Sequence, residues 1–217
     1  MTLLKNILVA AMAALVTATF VTPAPQQQIG DASRIFYYHV PMAWVAVIAF
    51  GMSMIYSIRY LRSRSIHEDD RAQVAAGLGF LFCILATITG SVFAKVAWGS
   101  FWNWDPRETS ILILLLIYGA YFSLRSAVNE ENRRASLAAV YSIFAFLTVP
   151  FLVFVVPRMM PSLHPSDTVV DDSMKFNLGG SVAIIFGCAL ALFTVLYLWL
   201  FNLSSRAHRL ARAAEDS

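Results

Sequence analysis

The sequence predicts an all-α membrane protein: a bundle of six transmembrane helices with both termini on the cytoplasmic side and a tryptophan-rich loop on the outer face. Composition, six long apolar segments and an uneven distribution of arginine and lysine predict this fold. Of the 217 residues, 59% are hydrophobic and 13% are charged, and the mean hydropathy is +0.65. A soluble domain has about 25% charged residues. This chain has too little charge to cover a water-exposed surface, so we expect a bilayer around it.

Each apolar segment is long enough to cross about 30 Å of hydrocarbon as a helix, which takes roughly 20 residues. None alternates as a membrane β-strand does, and a helix satisfies its own backbone hydrogen bonds in lipid. The spans are predicted at Leu3–Thr22, Phe36–Tyr60, Val74–Ala97, Thr109–Ala127, Ser136–Val156 and Leu178–Leu203. Because little sequence lies between them, residues 1–217 are predicted to form a single integral membrane domain. Its tryptophan-rich loop, residues 98–109, joins the third and fourth helices.

The first segment also fits a cleaved signal peptide, because Lys5 precedes the apolar stretch and the polar residues 23–30 follow it. The near-spanning length of the stretch favours a retained helix instead.

Arginine and lysine are concentrated at one end of the predicted bundle. That end has eleven of them and the other has five, namely Arg34, Lys95, Arg107, Arg158 and Lys175. Cytoplasmic loops carry the excess of these residues, so the richer end is predicted to be cytoplasmic. The net charge of +3 then reflects topology rather than nucleic-acid binding. The cytoplasmic connections, residues 59–71 and 129–134, mix arginines with acids and are predicted to be solvated turns.

The outer end concentrates the unusual residues, above all three tryptophans within seven positions: Trp98, Trp102 and Trp104. Tryptophan favours membrane interfaces, and an interfacial belt explains Trp44 and Trp199 better than it explains this group. Each indole can bury about 150–250 Å². The group is therefore predicted to form an apolar platform that needs lipid, protein or a flat ligand against it.

The end of the same loop carries the signals of a helix start. Asp105 suits the N-cap, Pro106 the first helical position and Glu108 the third, which is a capping box. This pattern predicts a structural role for the two acids rather than acid–base catalysis. Arg107 lies beside the platform, where a guanidinium can bind a carboxylate through two hydrogen bonds.

Two of the four histidines lie at the outer end, and the other two lie among cytoplasmic charges. His39 is predicted just before the second span or at its start, because Pro41 suits the first turn of a helix. His164 lies between Pro161 and Pro165 in the third outer loop. A lone interfacial histidine usually only hydrogen-bonds to a neighbour, but these two bracket the aromatic platform in sequence. Neutral imidazole is a common ligand of haem iron.

The outer end has each residue type that a haem needs. Aromatic walls can come from the tryptophans with Phe36, Tyr37 and Tyr38, and propionate partners from Arg34, Lys95, Arg107 and Arg158. The residues by themselves therefore predict haem or another flat amphipathic ligand.

Residues 98–109 read WGSFWNWDPRET. This segment resembles the WWD signature of the haem-handling proteins of cytochrome c biogenesis, the CcmC/CcmF/CcsA family. His39-Val40-Pro41 and Ser162-Leu163-His164 resemble the two histidine segments that flank that signature. The length, the six spans and the order of these segments resemble the CcmC members most closely, and the resemblance covers essentially the whole chain.

The resemblance implies a haem-transfer protein rather than a conventional enzyme. Haem b would be held non-covalently on the extracytoplasmic side of the inner membrane, and passed to the membrane-anchored haem chaperone CcmE. The implied partners also include CcmA, CcmB and CcmD. The implied axial ligands are His39 and His164, and the implied platform consists of Trp98, Trp102, Trp104 and Asp105.

Two alternatives stay open. Glu108 stands where CcmC relatives often have an apolar residue, and it resembles the CcsA-type synthases, which attach haem to apocytochrome themselves. Those proteins have an internal histidine pair, and here no histidine lies deep within a predicted span. A haem-exporting permease subunit of an ABC-type complex would need polar residues or broken helices near the midplane. Pro150 and the pair Gly179-Gly180 are weak signals of such helix breaks.

Overall fold

The structure is a computed structural model that describes residues 2–26, 29–164 and 178–215. Within these ranges every regular element is helical, and six helical segments are long and apolar enough to cross a membrane. This confirms the predicted all-α class and the predicted number of spans. The elements are α1 (Thr2–Val21), a 3₁₀ helix (Gly30–Ile35), α2 (Phe36–Ser63), α3 (Ile66–Trp98), α4 (Pro106–Ala127), α5 (Glu131–Pro150), a π-helical turn (Phe151–Val155), α6 (Val156–Met159) and α7 (Gly180–Glu215). Two residues discussed above, Pro165 and Lys175, lie outside the described residues.

The two ends of the bundle differ in chemistry. We call the end with connection 99–105 and segment 160–164 the tryptophan end, and the end with connections 64–65 and 128–130 the arginine end. Several helices are longer than a bilayer needs: α7 has 36 residues, which is about 54 Å at 1.5 Å per residue. Such helices continue beyond the hydrocarbon layer.

Helix α2 lies at the centre of the bundle and packs against α3, α5 and α7, with its largest contact on α3. Gly79 of α3 allows the close approach, since a Cβ there would lie 2.7 Å from the ring of Phe50. The Phe50 ring stacks on Tyr118 of α4 with 3.5 Å between centroids. Small residues let membrane helices approach closely. Here Gly79 leaves room for an aromatic stack between three helices.

The arginine end does not consist of solvated turns, and that prediction is wrong for two acids. Asp69 and Asp70 are only 2% and 3% exposed. Arg125 of α4 donates to both carboxylate oxygens of Asp69, at 2.7 and 2.8 Å. Arg212 of α7 donates to both oxygens of Asp70, at 2.6 and 2.7 Å, and to Glu131. The acids are buried because the last turn of α4 and the extension of α7 beyond its apolar segment place Arg125 and Arg212 against the start of α3.

Helix α2 begins earlier than Pro41 suggests. It starts at Phe36, so His39 is already helical and Pro41 lies inside the helix. Proline lacks the N–H that would bond to the carbonyl four residues before it, but membrane helices tolerate such positions when neighbouring groups pack around them. The side chain of His39 therefore starts from a rigid helix rather than from a loop.

A π-helical turn separates α5 from α6, between Pro150 and Pro157. The N–H of Val156 donates to the carbonyl of Phe151, five residues back instead of four. In a regular helix the ring of Pro157 would clash with the carbonyl of Val153, and the wider turn relieves this. Isolated π-turns are frequent at functional sites. Here the turn forms part of the wall of a cavity.

Candidate cofactor site

A cavity of about 590 Å³ opens in the tryptophan half of the bundle. This volume lies within the roughly 300–1,000 Å³ typical of small-molecule sites. Its walls come from α2, α3, α4, the π-helical turn, α6 and the start of α7, and they are mostly apolar. Among the lining residues are Phe36, Trp44, Phe50, Leu114, Leu152 and Phe154.

His39 reaches this cavity from α2 with its Nδ1 atom already engaged. Nδ1 lies 2.9 Å from the backbone carbonyl of Ala86 on α3, and 3.2 Å from the hydroxyl of Thr89. Because a carbonyl oxygen can only accept, Nδ1 carries the proton and donates. In the neutral ring, Nε2 then keeps its lone pair and can bind a metal.

Gly90 makes room for the His39 ring. A Cβ at position 90 would lie 2.8 Å from Cε1 of the imidazole and 3.3 Å from Nδ1. The ring thus rests directly on the α3 backbone, one turn beyond the carbonyl that accepts its proton.

His164 lines the same cavity from the segment that follows α6. Its Nδ1 lies 3.0 Å from Oδ1 of Asp105. Burial lowers the pKa of His164 to about 4, although the Asp105 carboxylate acts in the opposite direction. The imidazole is therefore neutral at physiological pH, donates through Nδ1 and keeps the Nε2 lone pair. A carboxylate behind a histidine also makes that nitrogen a stronger metal ligand.

Asp105 has two roles in the structure. It is the N-cap of α4, and with Glu108 it forms the predicted capping box, which is confirmed. It also binds segment 160–164: Oδ2 accepts hydrogen bonds from the Ser162 hydroxyl at 2.8 Å and the Leu163 N–H at 2.7 Å. The Asp105 carboxylate therefore lies on the Nδ1 side of the His164 ring, away from Nε2.

Burial by itself would raise the pKa of Asp105. The hydrogen bonds from the N–H groups of Arg107 and Leu163 and from the hydroxyl of Ser162 outweigh it, and hold that pKa below its usual value. Asp105 is therefore a carboxylate at neutral pH, and its oxygens act as the acceptor in each of these hydrogen bonds.

The three tryptophans of the loop occupy different positions. Trp102 lines the cavity. Trp98, the last residue of α3, packs edge-on against the His164 ring with 4.6 Å between centroids. Trp104 is 72% exposed, and its ring meets Trp102 at a right angle, 5.9 Å away. The structure thus brings Trp98 and Trp102 to the site, whereas Trp104 covers Trp102 from outside.

Two of the four candidate cations line the cavity, Arg107 and Arg158. The Nε atom of Arg107 is buried and, among the described residues, has no hydrogen-bond partner. Arg34 donates instead to Asp31 and to the carbonyls of Thr19 and Thr22, and Lys95 donates to the carbonyl of Gly99. Arg158 also donates through Nη1 to the carbonyl of Phe154, at 2.8 Å. The cavity is therefore lined by two guanidinium groups, and the buried Nε of Arg107 is the donor best placed for an anionic group.

Of the aromatic candidates near His39, Phe36 lines the cavity. Tyr37 is fully buried beside Phe36, and the hydroxyl of Tyr38 bonds with that of Thr19 at 2.6 Å. These tyrosines support the cavity wall or connect α2 to α1.

Sequence reasoning missed the α3 side of the site: Cys83, Ala86, Thr87 and Gly90, which all line the cavity. Positions 83, 86, 87 and 90 follow the i, i+3, i+4, i+7 pattern, which puts them on one helical face. That face of small residues was visible in the sequence, but nothing in the sequence showed that it lies opposite His39.

The fold and the cavity define a class of protein: a multi-pass membrane protein that presents two neutral imidazoles to one apolar cavity near one end of its bundle. The sequence pattern of the family described as Heme exporter protein C, CcmC, matches residues 1–216. The chain belongs to the CcmC family, which confirms the resemblance found in the WWD segment.

Individual relatives support this membership. Heme exporter protein C of Bradyrhizobium diazoefficiens is 37% identical over 154 residues, which cover 71% of this chain and 56% of the relative. The protein of the same name from Paracoccus denitrificans is 36% identical over 133 residues, covering 59% and 55%. That from Escherichia coli K12 is 30% identical over 186 residues, covering 83% and 74%. The chain thus spans little more than half the length of the first two relatives.

Proposed function

We propose that this protein binds haem as a cargo, with the iron between Nε2 of His39 and Nε2 of His164, and delivers it during cytochrome c maturation. The observation that carries the proposal is the pair of imidazoles that line one apolar cavity. Each has its Nδ1 proton bound to a protein acceptor, so each has the free lone pair that an axial ligand requires.

The rest of the cavity suits the rest of a haem. Apolar walls such as Phe36, Leu114 and Phe154 fit the porphyrin faces and vinyl groups. The unpaired Nε of Arg107 and the nearby Arg158 fit propionates, since guanidinium–carboxylate hydrogen bonds are among the stronger ones in proteins. The binding would be non-covalent and of the b type, so the haem can leave.

The positions of the arginines and the family membership support a direction of delivery. The arginine end carries the excess of positive residues, so we place it in the cytoplasm, with both termini, and we place the cavity on the outer side of the inner membrane. The acceptor in this proposal is the haem chaperone CcmE, and CcmA, CcmB and CcmD are the other members of the maturation complex.

The name of the relatives suggests export, and passage of haem through the bundle is the alternative. The inner limit of the cavity includes Phe50 and Leu114, and the stack of Phe50 on Tyr118 lies beyond it. This favours loading and unloading at the tryptophan end over movement through the middle of this chain.

The test is an absorbance spectrum of the protein purified in mild detergent and loaded with haem. We expect the wild-type protein to give a low-spin, six-coordinate spectrum and the variants His39→Ala and His164→Ala to lose it. The matched controls are His67→Ala and His208→Ala, which remove the other two histidines at the arginine end and should keep the spectrum. An unchanged spectrum in the His39→Ala/His164→Ala double variant contradicts the proposal.

A further inference from the structure

The two cavity histidines are held in different ways, and the difference begins with His39. It belongs to α2, which has its largest contact with α3. The ring is hydrogen-bonded to the α3 carbonyl of Ala86 and pressed against the backbone of Gly90. Moving this imidazole away from the cavity would require the two central helices to separate.

His164 lines the same cavity from a segment outside the helices, five residues beyond the end of α6 at Met159. Three hydrogen bonds from this segment converge on one side chain. The Ser162 hydroxyl, the Leu163 N–H and the His164 Nδ1 all donate to the carboxylate of Asp105. His164 can therefore move away with its segment when its contacts with Asp105 and with the edge of Trp98 are broken, while the helices stay in place.

From this asymmetry we infer that His39 is the fixed iron ligand and that His164 is the ligand that dissociates when haem leaves. Asp105 is the positioning residue that determines how readily His164 dissociates from the iron. The inference rests on the proposed function, since it assumes that the iron binds between the two histidines. It assigns Asp105 to the control of an iron ligand rather than to the haem platform.

The chemistry of the step is a ligand exchange. The bond between the iron and Nε2 of His164 breaks, and its electron pair stays on the imidazole. The lone pair of a ligand from the acceptor protein then takes the open position, with no change in oxidation state. The Asp105 carboxylate opposes the step in two ways. It accepts the Nδ1 proton of His164 and so keeps Nε2 turned towards the cavity, and it strengthens Nε2 as a ligand.

Carbon monoxide binding to the reduced, haem-loaded protein measures this dissociation. Carbon monoxide can bind only after a histidine has left, so at saturating concentration the rate equals that of histidine dissociation. Two variants each remove a partner of one histidine: Asp105→Asn on the His164 side, and Thr89→Ala on the His39 side. Asparagine is as good an N-cap as aspartate, but its single oxygen cannot accept all the hydrogen bonds that Asp105 accepts.

We expect Asp105→Asn to raise the limiting rate by about tenfold or more, as is typical when the partner of a metal-bound histidine is lost. Thr89→Ala should leave the rate nearly unchanged. Glu130→Gln, which alters the N-cap of α5 at the arginine end, controls for a general effect of a weakened helix cap. If Asp105→Asn folds poorly, Ser162→Ala removes one contact of the same carboxylate and should raise the rate by a smaller factor.

A higher rate in Thr89→Ala with no change in Asp105→Asn would overturn the inference, because His39 would then be the labile ligand. Equal rates in both variants and the wild type would also overturn it. Failure of the proposed function gives a different result: the wild-type protein would show no six-coordinate haem spectrum before carbon monoxide is added.

Discussion

At the scale of single residues, two hydrogen bonds determine what the histidines can do. Nδ1 of His39 donates to a carbonyl and Nδ1 of His164 to a carboxylate. Both rings therefore present Nε2, although the two partners differ in charge. The sequence identifies the two histidines, but their partners lie 47 and 59 residues away in the chain. One of the partners is a backbone carbonyl, which has no sequence signature.

Replacing Gly90 with alanine should displace His39. The added Cβ would lie 2.8 Å from the imidazole, and the ring cannot yield without losing its bond to Ala86. Forcing an extra methyl into a packed site costs about 1–3 kcal/mol. We expect a weaker low-spin haem spectrum and lower haem content. Gly119→Ala is the matched control, because a Cβ there meets nothing within 4 Å.

Stability of the haem-free protein should fall in acid because of His164. Its pKa is lowered from 6.5 to about 4, so the unfolded chain binds its proton more readily than the folded protein. The resulting loss of stability begins as pH falls below about 6.5 and is complete below about 4. Thermal unfolding in detergent across this range should show a smaller pH dependence for His164→Gln. Identical pH profiles for the variant and the wild type would contradict this assignment.

At the scale of helices, hydropathy predicted the number and approximate positions of the spans. It did not predict how far α3 and α7 continue beyond the apolar segments. Short loops with mixed charges were expected to be solvated, and Asp69 and Asp70 show why that reasoning fails. Helices that extend past the hydrocarbon can place arginines against acids from elsewhere in the chain. Local composition does not indicate such contacts.

The ion pair between α3 and α4 gives a prediction at this scale. Arg125→Met leaves the Asp69 carboxylate buried without its partner, and breaking a buried pair costs about 3–5 kcal/mol. The double variant Asp69→Leu/Arg125→Met should recover most of that stability, because neither charge of this pair remains buried. Thermal unfolding measures both effects, and the exposed Arg133→Met is the control. Equal losses in the single and double variants would show that the charge of Asp69 is not the cause.

At the scale of the whole molecule, the two ends have different tasks. At the arginine end a buried ion pair joins α3 to α4, and the half-exposed Arg212 joins α7 to Asp70 of α3 and Glu131 of α5. The tryptophan end contains the cavity. The WWD segment and its flanking histidines predicted which end carries the site. The resemblance assigned Trp98, Trp102 and Trp104 one common role, and it did not predict that Trp104 would be 72% exposed.

The orientation of the bundle can be tested with cysteine labelling. In a Cys83→Ala/Cys188→Ala background, Ser100→Cys marks the tryptophan end and Ser65→Cys the arginine end, and both positions are exposed. We expect a membrane-impermeant maleimide to label position 100 in intact spheroplasts and position 65 only after lysis. The opposite pattern would place the cavity in the cytoplasm and contradict the proposed delivery.

The central claim is that the imidazoles at positions 39 and 164 share one iron. Its most direct test is chemical rescue of the variants His39→Gly and His164→Gly, followed through the haem spectrum. Each variant alone should lose the low-spin bands, and added imidazole should restore them, because the free ligand occupies the space of the missing side chain. Low-spin bands that persist in either variant without imidazole would show that this residue does not bind the iron.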